Sequence, residues 1–227
     1  MSSKPIKKLT RSPFVSHLSS PPVLCKSPKE KSYLLPPLKE NKKTIIFDLD
    51  ETLIHSHFRD DNEISNDYLI IETEESELYV SIRPGMIKLL QEIKNDFEIV
   101  LFTASNDYYA DSIIDQLEKE FKLFDHKLYL RDCKHKFGYI FKDIFKLGRD
   151  VNKVMIFDDN PDVWNCRENV FIVNPYHGGN EDVEYLTIKQ VINDFKVIDN
   201  IKLLYNKYHR YSISFDEIIE NCDELEF

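Results

Sequence analysis

The stretch Thr44–Phe58, TIIFDLDETLIHSHF, ends an apolar, β-branched run on Asp48 and Asp50, with Thr52 next in the same alternation. A carboxylate acts as a nucleophile only while it is ionised and aimed at its target. A second carboxyl two residues on along an extended segment points to the same side, where it can give and take a proton. Two further apolar runs end on polar residues: EIVLFTA on Thr103 and Ser105, and KVMIFDDNP on Asp158, Asp159 and Asn160. Asp48, Asp50, Asp158 and Asp159 gathered at one sheet edge repel each other unless a cation sits among them. All-oxygen donors suit a hard ion, and Mg²⁺ is the expected one. Such an ion also keeps Asp48 an anion.

These residues need a scaffold that brings strand ends together. TIIFDL, EIVLFTA, KVMIFDDNP and NVFIVN are short, apolar and β-rich, and they read as buried strands. YLIIE and LYVSI read as a hairpin or small sheet after the first of them, and HKLYL as a weak strand. GMIKLLQEIKND reads as a helix with Pro84 at its first position and Ile87, Leu90 and Ile93 on one face. SNDYYADSIIDQLEKEF reads as a helix capped by Ser105 or Asn106, with Tyr109, Ile113, Leu117 and Phe121 in line. GYIFKDIFKLG reads as a short helix or turn, and helical patterns fill residues 180–207. The alternation predicts an α/β fold: a Rossmann-like parallel sheet with helices on both faces and a small β insertion after the first strand. Polar residues at the carboxyl ends of such strands line the binding crevice.

The ends of the chain differ from its middle. Residues 1–42 hold most of the prolines, with Ser12-Pro13, Ser20-Pro21 and Ser27-Pro28 set among lysines, and they read as a disordered basic leader. Residues 43–210 form the expected domain, and 211–227 an acidic terminal helix or tail. The chain's net charge of −10 divides into +8 over residues 1–43 and −18 over the rest. An acidic body argues against direct nucleic-acid binding by the domain, because phosphate contacts want Lys and Arg. No apolar run approaches the ~20 residues that span a bilayer, so no membrane role is expected. Cys25, Cys133, Cys166 and Cys222 show no paired spacing, which suits reduced thiols in a nuclear or cytoplasmic setting. His55 and His57 alternate along a strand, but two histidines without a third ligand read as structural. Trp164 reads as a packing residue, and His177-Gly178-Gly179 as a loop.

In order, DLDETLIHS, RPG, LFTASNDYYAD, the lysine of FKD, and IFDDNP resemble the haloacid-dehalogenase superfamily. Within it they are similar to the FCP/SCP group of protein phosphatases, known for acting on the RNA polymerase II C-terminal repeat. The resemblance spans Lys43 to Tyr185. It implies that Asp48 attacks phosphorus and becomes an aspartyl-phosphate, and that Asp50 protonates the leaving serine or threonine oxygen and then activates water. It implies that Thr103 and Lys142 bind the phosphoryl oxygens. Mg²⁺ would be held by Asp48, the Asp50 backbone carbonyl, Asp158 and Asp159. Many SCP-type members carry Asp-Asn at the last pair, whereas Asp159 follows the FCP pattern, which leaves open which of the two is the direct ligand.

Only 45 residues separate Thr52 from Glu98, and the β segment and a helix use most of them, so a large cap domain is not expected. An open site suits a phosphorylated protein or peptide and a monomeric enzyme. Phe58, Tyr68 and Ile70 resemble the family insertion that receives an apolar residue beside the phosphoserine, and Arg131 matches a family arginine that contacts the peptide. Two other readings are a catalytically silent docking module and a small-molecule phosphatase on the same fold.

Overall fold

A computed structural model describes residues 33–58, 69–72, 77–136 and 138–208. In chain order its elements are β1 (Lys43–Phe47), β2 (Ile54–Phe58), β3 (Leu69–Glu72), β4 (Glu77–Ile82), α1 (Met86–Ile93), β5 (Phe97–Phe102) and α2 (Asp107–Leu117). Then follow β6 (His126–Leu128), β7 (Lys134–Lys136), β8 (Tyr139–Phe141), β9 (Val154–Asp158), β10 (Val170–Ile172) and α3 (Glu184–Val197). Five strands form one sheet in the order β10-β9-β1-β5-β6, and its pairs are parallel. β2, β4 and β3 form the antiparallel insertion, and β7 with β8 a two-stranded ribbon.

The sheet is apolar on both sides because both sides are covered. Along β1, Ile45 and Phe47 face one cluster and Ile46 the other, the period of two that a pleated strand imposes. Alpha helices cover the first side, through Leu89 and Leu90 of α1, Ile113 and Ile114 of α2, and Val191 and Phe195 of α3. The second side is covered by 3₁₀ turns and loops carrying Ile144, Leu147 and Trp164, together with Leu35. The expected leader therefore reaches too far along the chain: residues 33–42 belong to the fold. Leu35 is buried, Leu34 donates its N–H to Lys146 O at 2.8 Å, and Arg149 donates to Pro36 O at 2.8 Å. Proline and lysine content hid the short apolar run Tyr33-Leu34-Leu35, which is what the uncovered sheet face binds. The remaining expected leader and the acidic tail lie outside the described residues.

Three local expectations also need correction. Pro84 does not open α1; Gly85 caps it with φ +78°, and a Cβ there would lie 2.5 Å from the Tyr185 ring, so both backbone and space demand glycine. Asn106, rather than Ser105, caps α2 by accepting Tyr109 N–H at 2.8 Å, and the helix stops at Leu117, short of Phe121. Tyr139–Phe141, read as helix or turn, is a strand because Lys134–Lys136 supplies its partner, a pairing that local propensity does not see.

Candidate active site

The parallel register fixes where the polar residues stand. Phe47 pairs with Leu101 on one side and Phe157 on the other, so Asp48, Thr103 and Asp158 emerge at one end of three adjacent strands. Asp48 N–H still donates to Phe157 O at 3.0 Å, which holds the nucleophile candidate at the end of the ladder. The chain then turns through Glu51, a non-glycine residue at φ +55°.

Two carboxylate groups of distinct character result. Asp48, Asp158 and Asp159 bring ligand oxygens within 4.8 Å of one another. Lys142 enters between the first two: its ammonium lies 2.5 Å from Asp48 Oδ1 and 2.8 Å from Asp158 Oδ2. Burial pulls Lys142 down, but Asp48 and Asp158 more than reverse this, so the ammonium stays protonated. Burial pushes the Asp48 carboxyl up to about 8, Lys142 opposes it, and Asp158 and Asp50 add to it. Asp159 is raised by burial and by Asp158. One lysine thus undercompensates three carboxylates in a space lined by oxygen donors, and the set fits a hard divalent cation.

Asp50 points away from that group. Its Oδ2 accepts from Ser105 Oγ at 2.7 Å and its Oδ1 from Tyr109 OH at 2.5 Å. Ser56 Oγ lies 2.7 Å from the same phenol oxygen. Burial, with Asp50 beside it, keeps the Tyr109 hydroxyl protonated and a donor. These contacts set the direction of the Asp50 side chain, which is not among the clustered ligand oxygens.

Thr103 is buried at the end of β5, and its Oγ1 accepts Ser105 N–H at 2.9 Å. A hydroxyl that accepts through oxygen keeps its own proton to donate. Trp164, read as packing, donates Nε1–H to Asp158 Oδ2 at 2.7 Å and lies beside the Lys142 ammonium, 5.3 Å from the ring centroid. Trp164 and Tyr109 are partners of the candidate-site carboxylates that sequence reasoning missed. The usable signal was that buried indole and phenol groups need polar partners.

The expected substrate contacts are less unified. Phe58 opposes Leu78 and so shares its face, whereas Ile70 opposes Tyr79, the next residue along β4. Adjacent residues of one strand face opposite ways, so Phe58 and Ile70 lie on opposite faces of the small sheet. Both are exposed, at 66% and 49%. Ile70 with Ile71, Glu77, Ser112, Asp115 and Gln116 lines a cavity of about 610 Å³ between the small sheet and α2. Tyr68 lies outside the described residues. Arg131 is exposed, pairs with Asp107 at the start of α2, and lies 4.7 Å from the Tyr129 ring centroid.

The family described as NLI interacting factor-like phosphatase matches residues 43–202. The CTD small phosphatase-like protein of Homo sapiens is 35% identical over 81% of this chain and 67% of its own length. CTD small phosphatase-like protein 1 of Caenorhabditis elegans is 33% identical over 83% of this chain and 39% of its own. Across the first three curated relatives the chain spans 39%, 54% and 53% of their lengths, about half. Among solved structures, the fission yeast RNA polymerase II CTD phosphatase Fcp1 aligns over 82% of this chain and 67% of its own, with TM-score 0.50 at 19% identity, and so shares the fold.

Proposed function

The chain belongs to the NLI interacting factor-like phosphatase family, and on that premise we propose that it hydrolyses phosphoserine or phosphothreonine in a protein through an aspartyl-phosphate on Asp48. The observation that carries this reading is the pairing of a buried Asp48, in contact with the Lys142 ammonium, with an Asp50 held separately by Ser105 and Tyr109. A nucleophile and an acid/base group need different surroundings, and these two carboxylates have them.

In the first half-reaction a carboxylate oxygen of Asp48 forms a bond to phosphorus, the bond from phosphorus to the serine or threonine oxygen breaks, and Asp50 gives that oxygen a proton. Lys142 and the Thr103 hydroxyl hold the phosphoryl oxygens as charge shifts among them. In the second, Asp50 takes a proton from water, the water oxygen bonds to phosphorus, and the bond to Asp48 breaks. Inorganic phosphate leaves and both carboxyls return to their starting states. Asp48, Asp158 and Asp159 would hold Mg²⁺, which when bound neutralises the phosphoryl oxygens and stabilises the ionised Asp48.

An open site favours a macromolecular substrate. Among the described residues no cap domain covers the strand ends. Curated relatives include a human protein named as a small phosphatase of the RNA polymerase II carboxy-terminal domain. The proposed substrate is accordingly that C-terminal repeat or another Ser-Pro phosphoprotein, met by a monomeric nuclear or cytoplasmic enzyme. Among the described residues no helix is long and apolar enough to cross a membrane. Phosphate release from Ser-Pro phosphopeptides, with Mg²⁺ and with chelator, tests the reading. Asp48→Asn is expected to bring turnover down to background while its thermal melt stays cooperative. Normal turnover in that variant, or a preference for sugar phosphates over peptides, would overturn it.

A further inference from the structure

A second group of metal-ligating side chains lies outside the aspartate cluster. Glu51, His55 and His177 each offer a ligand atom within 4.8 Å of the others. They come from three places: the turn after β1, the strand β2, and the loop after β10. The fold ties these places together. Tyr176 N–H donates to Glu51 O at 2.8 Å, which pins the residue before His177 to the backbone of Glu51. His55 Nδ1 lies 2.9 Å from Glu51 Oε1. The His177 ring meets His55 edge-on with centroids 5.6 Å apart, and His57 stacks on His55 at 5.9 Å. An ion pair between His55 and Glu51 alone gives no reason for a second imidazole to converge on the same point.

The donor chemistry separates this group from the aspartates. Two imidazole nitrogens and one carboxylate oxygen suit a borderline-soft ion such as Zn²⁺, whereas Mg²⁺ prefers oxygen alone. Two of the three residues are half-buried and His177 is exposed, so the cluster is open to solvent on one side. That leaves a path of entry and a coordination position for water. We propose that Glu51, His55 and His177 form a binding site for a Zn²⁺-class transition metal, immediately beside Asp50 in the chain. It shares no side chain with the proposed phosphatase chemistry. It is still coupled to it, because Glu51 acts electrostatically on both Asp159 and Tyr109.

The test titrates Zn²⁺ into the full chain by calorimetry with Mg²⁺ in large excess, so that the aspartate cluster is already served. One Zn²⁺ per chain is expected. His177→Ala, on an exposed loop where folding is not at stake, and His55→Ala are each expected to weaken binding at least about tenfold, the lower end of what even an outer-shell partner costs. Asp158→Asn is expected to leave Zn²⁺ affinity unchanged. Co²⁺ in place of Zn²⁺ is expected to show visible absorption bands of a nitrogen-ligated four-coordinate ion, absent in His177→Ala. Unchanged Zn²⁺ affinity in His177→Ala, or a loss confined to Asp158→Asn, would overturn the assignment. Neither result would bear on the Asp48→Asn turnover test.

Discussion

Replacing Lys142 by methionine removes a charge while keeping most of an apolar stem. Lys142 is 1% exposed, and its ammonium lies within 2.8 Å of both Asp48 and Asp158. Removing one partner of a buried ion pair costs about 3–5 kcal/mol, because the remaining charge is left uncompensated. Asp158 retains donors from Trp164 Nε1 and Asn160 N–H, so the larger share of the penalty falls on Asp48. The pH sets how much of it appears. The folded Asp48 carboxyl is already raised from 3.8 to about 8, so folding takes up a proton in that window and stability falls as pH rises through it. Without Lys142, which opposes the rise, the carboxyl moves higher and the fall extends further into the alkaline range. A domain of this size loses about 2–4 °C of Tm per kcal/mol, so in chelator at alkaline pH the variant is expected to melt about 6–20 °C below the parent. The deficit is expected to narrow toward neutral pH as Asp48 takes up its proton. Mg²⁺ at a hundred times its Kd returns about 2.7 kcal/mol, and more to the variant, whose site is the more negative. Scanning calorimetry at neutral and alkaline pH, with and without Mg²⁺, reads all of this. A variant within about 1 kcal/mol of the parent in chelator at alkaline pH would refute the idea that Lys142 offsets buried negative charge.

Asp50→Asn keeps the contacts' geometry but cannot shuttle a proton; turnover is expected to fall about 10²–10⁴-fold. With an aryl phosphate whose leaving group needs no proton, acid-quenched labelling should show phosphate retained on Asp48, and an unlabelled protein would argue that Asp50 has no part in the second step. Glu98 lies buried across the sheet, accepting from Arg149 at 2.7 and 2.6 Å and from Thr44 Oγ1 at 2.7 Å. Burial works to raise its carboxyl, but these bonds prevail and hold it below the ordinary 4.5. Its stabilisation is therefore present above that value and lost as pH falls through the lowered one. Glu98→Gln is expected to cost about 3 kcal/mol at neutral pH and to flatten the acid limb of a urea-midpoint profile, and an unchanged acid limb would refute the assignment.

What was legible in the sequence follows from short-range rules. Period-two alternation and continuous apolar runs marked β1, β5 and β9, and the polar residues where those runs stop marked Asp48, Thr103 and Asp158. A strand end is a local event, so the pattern of apolar runs pointed to three positions of the candidate site, and the motif order added Lys142. Local patterns did not reveal which groups share partners. The separation of Asp50 from the aspartate cluster depends on Ser105 and Tyr109 arriving from beyond β5. The family resemblance groups Phe58 with Ile70, but cross-strand register puts them on opposite faces. Tyr33–Leu35 looked like leader because only the folded sheet creates the surface that buries Leu35. His177 stands beside His55 because a backbone hydrogen bond between Tyr176 and Glu51 draws two distant segments together. The sequence by itself determined which chemistry is available at each strand end, since side-chain type and strand period are local properties. Only the tertiary structure decided which of those groups meet, since that rests on pairing and burial between residues far apart in the chain.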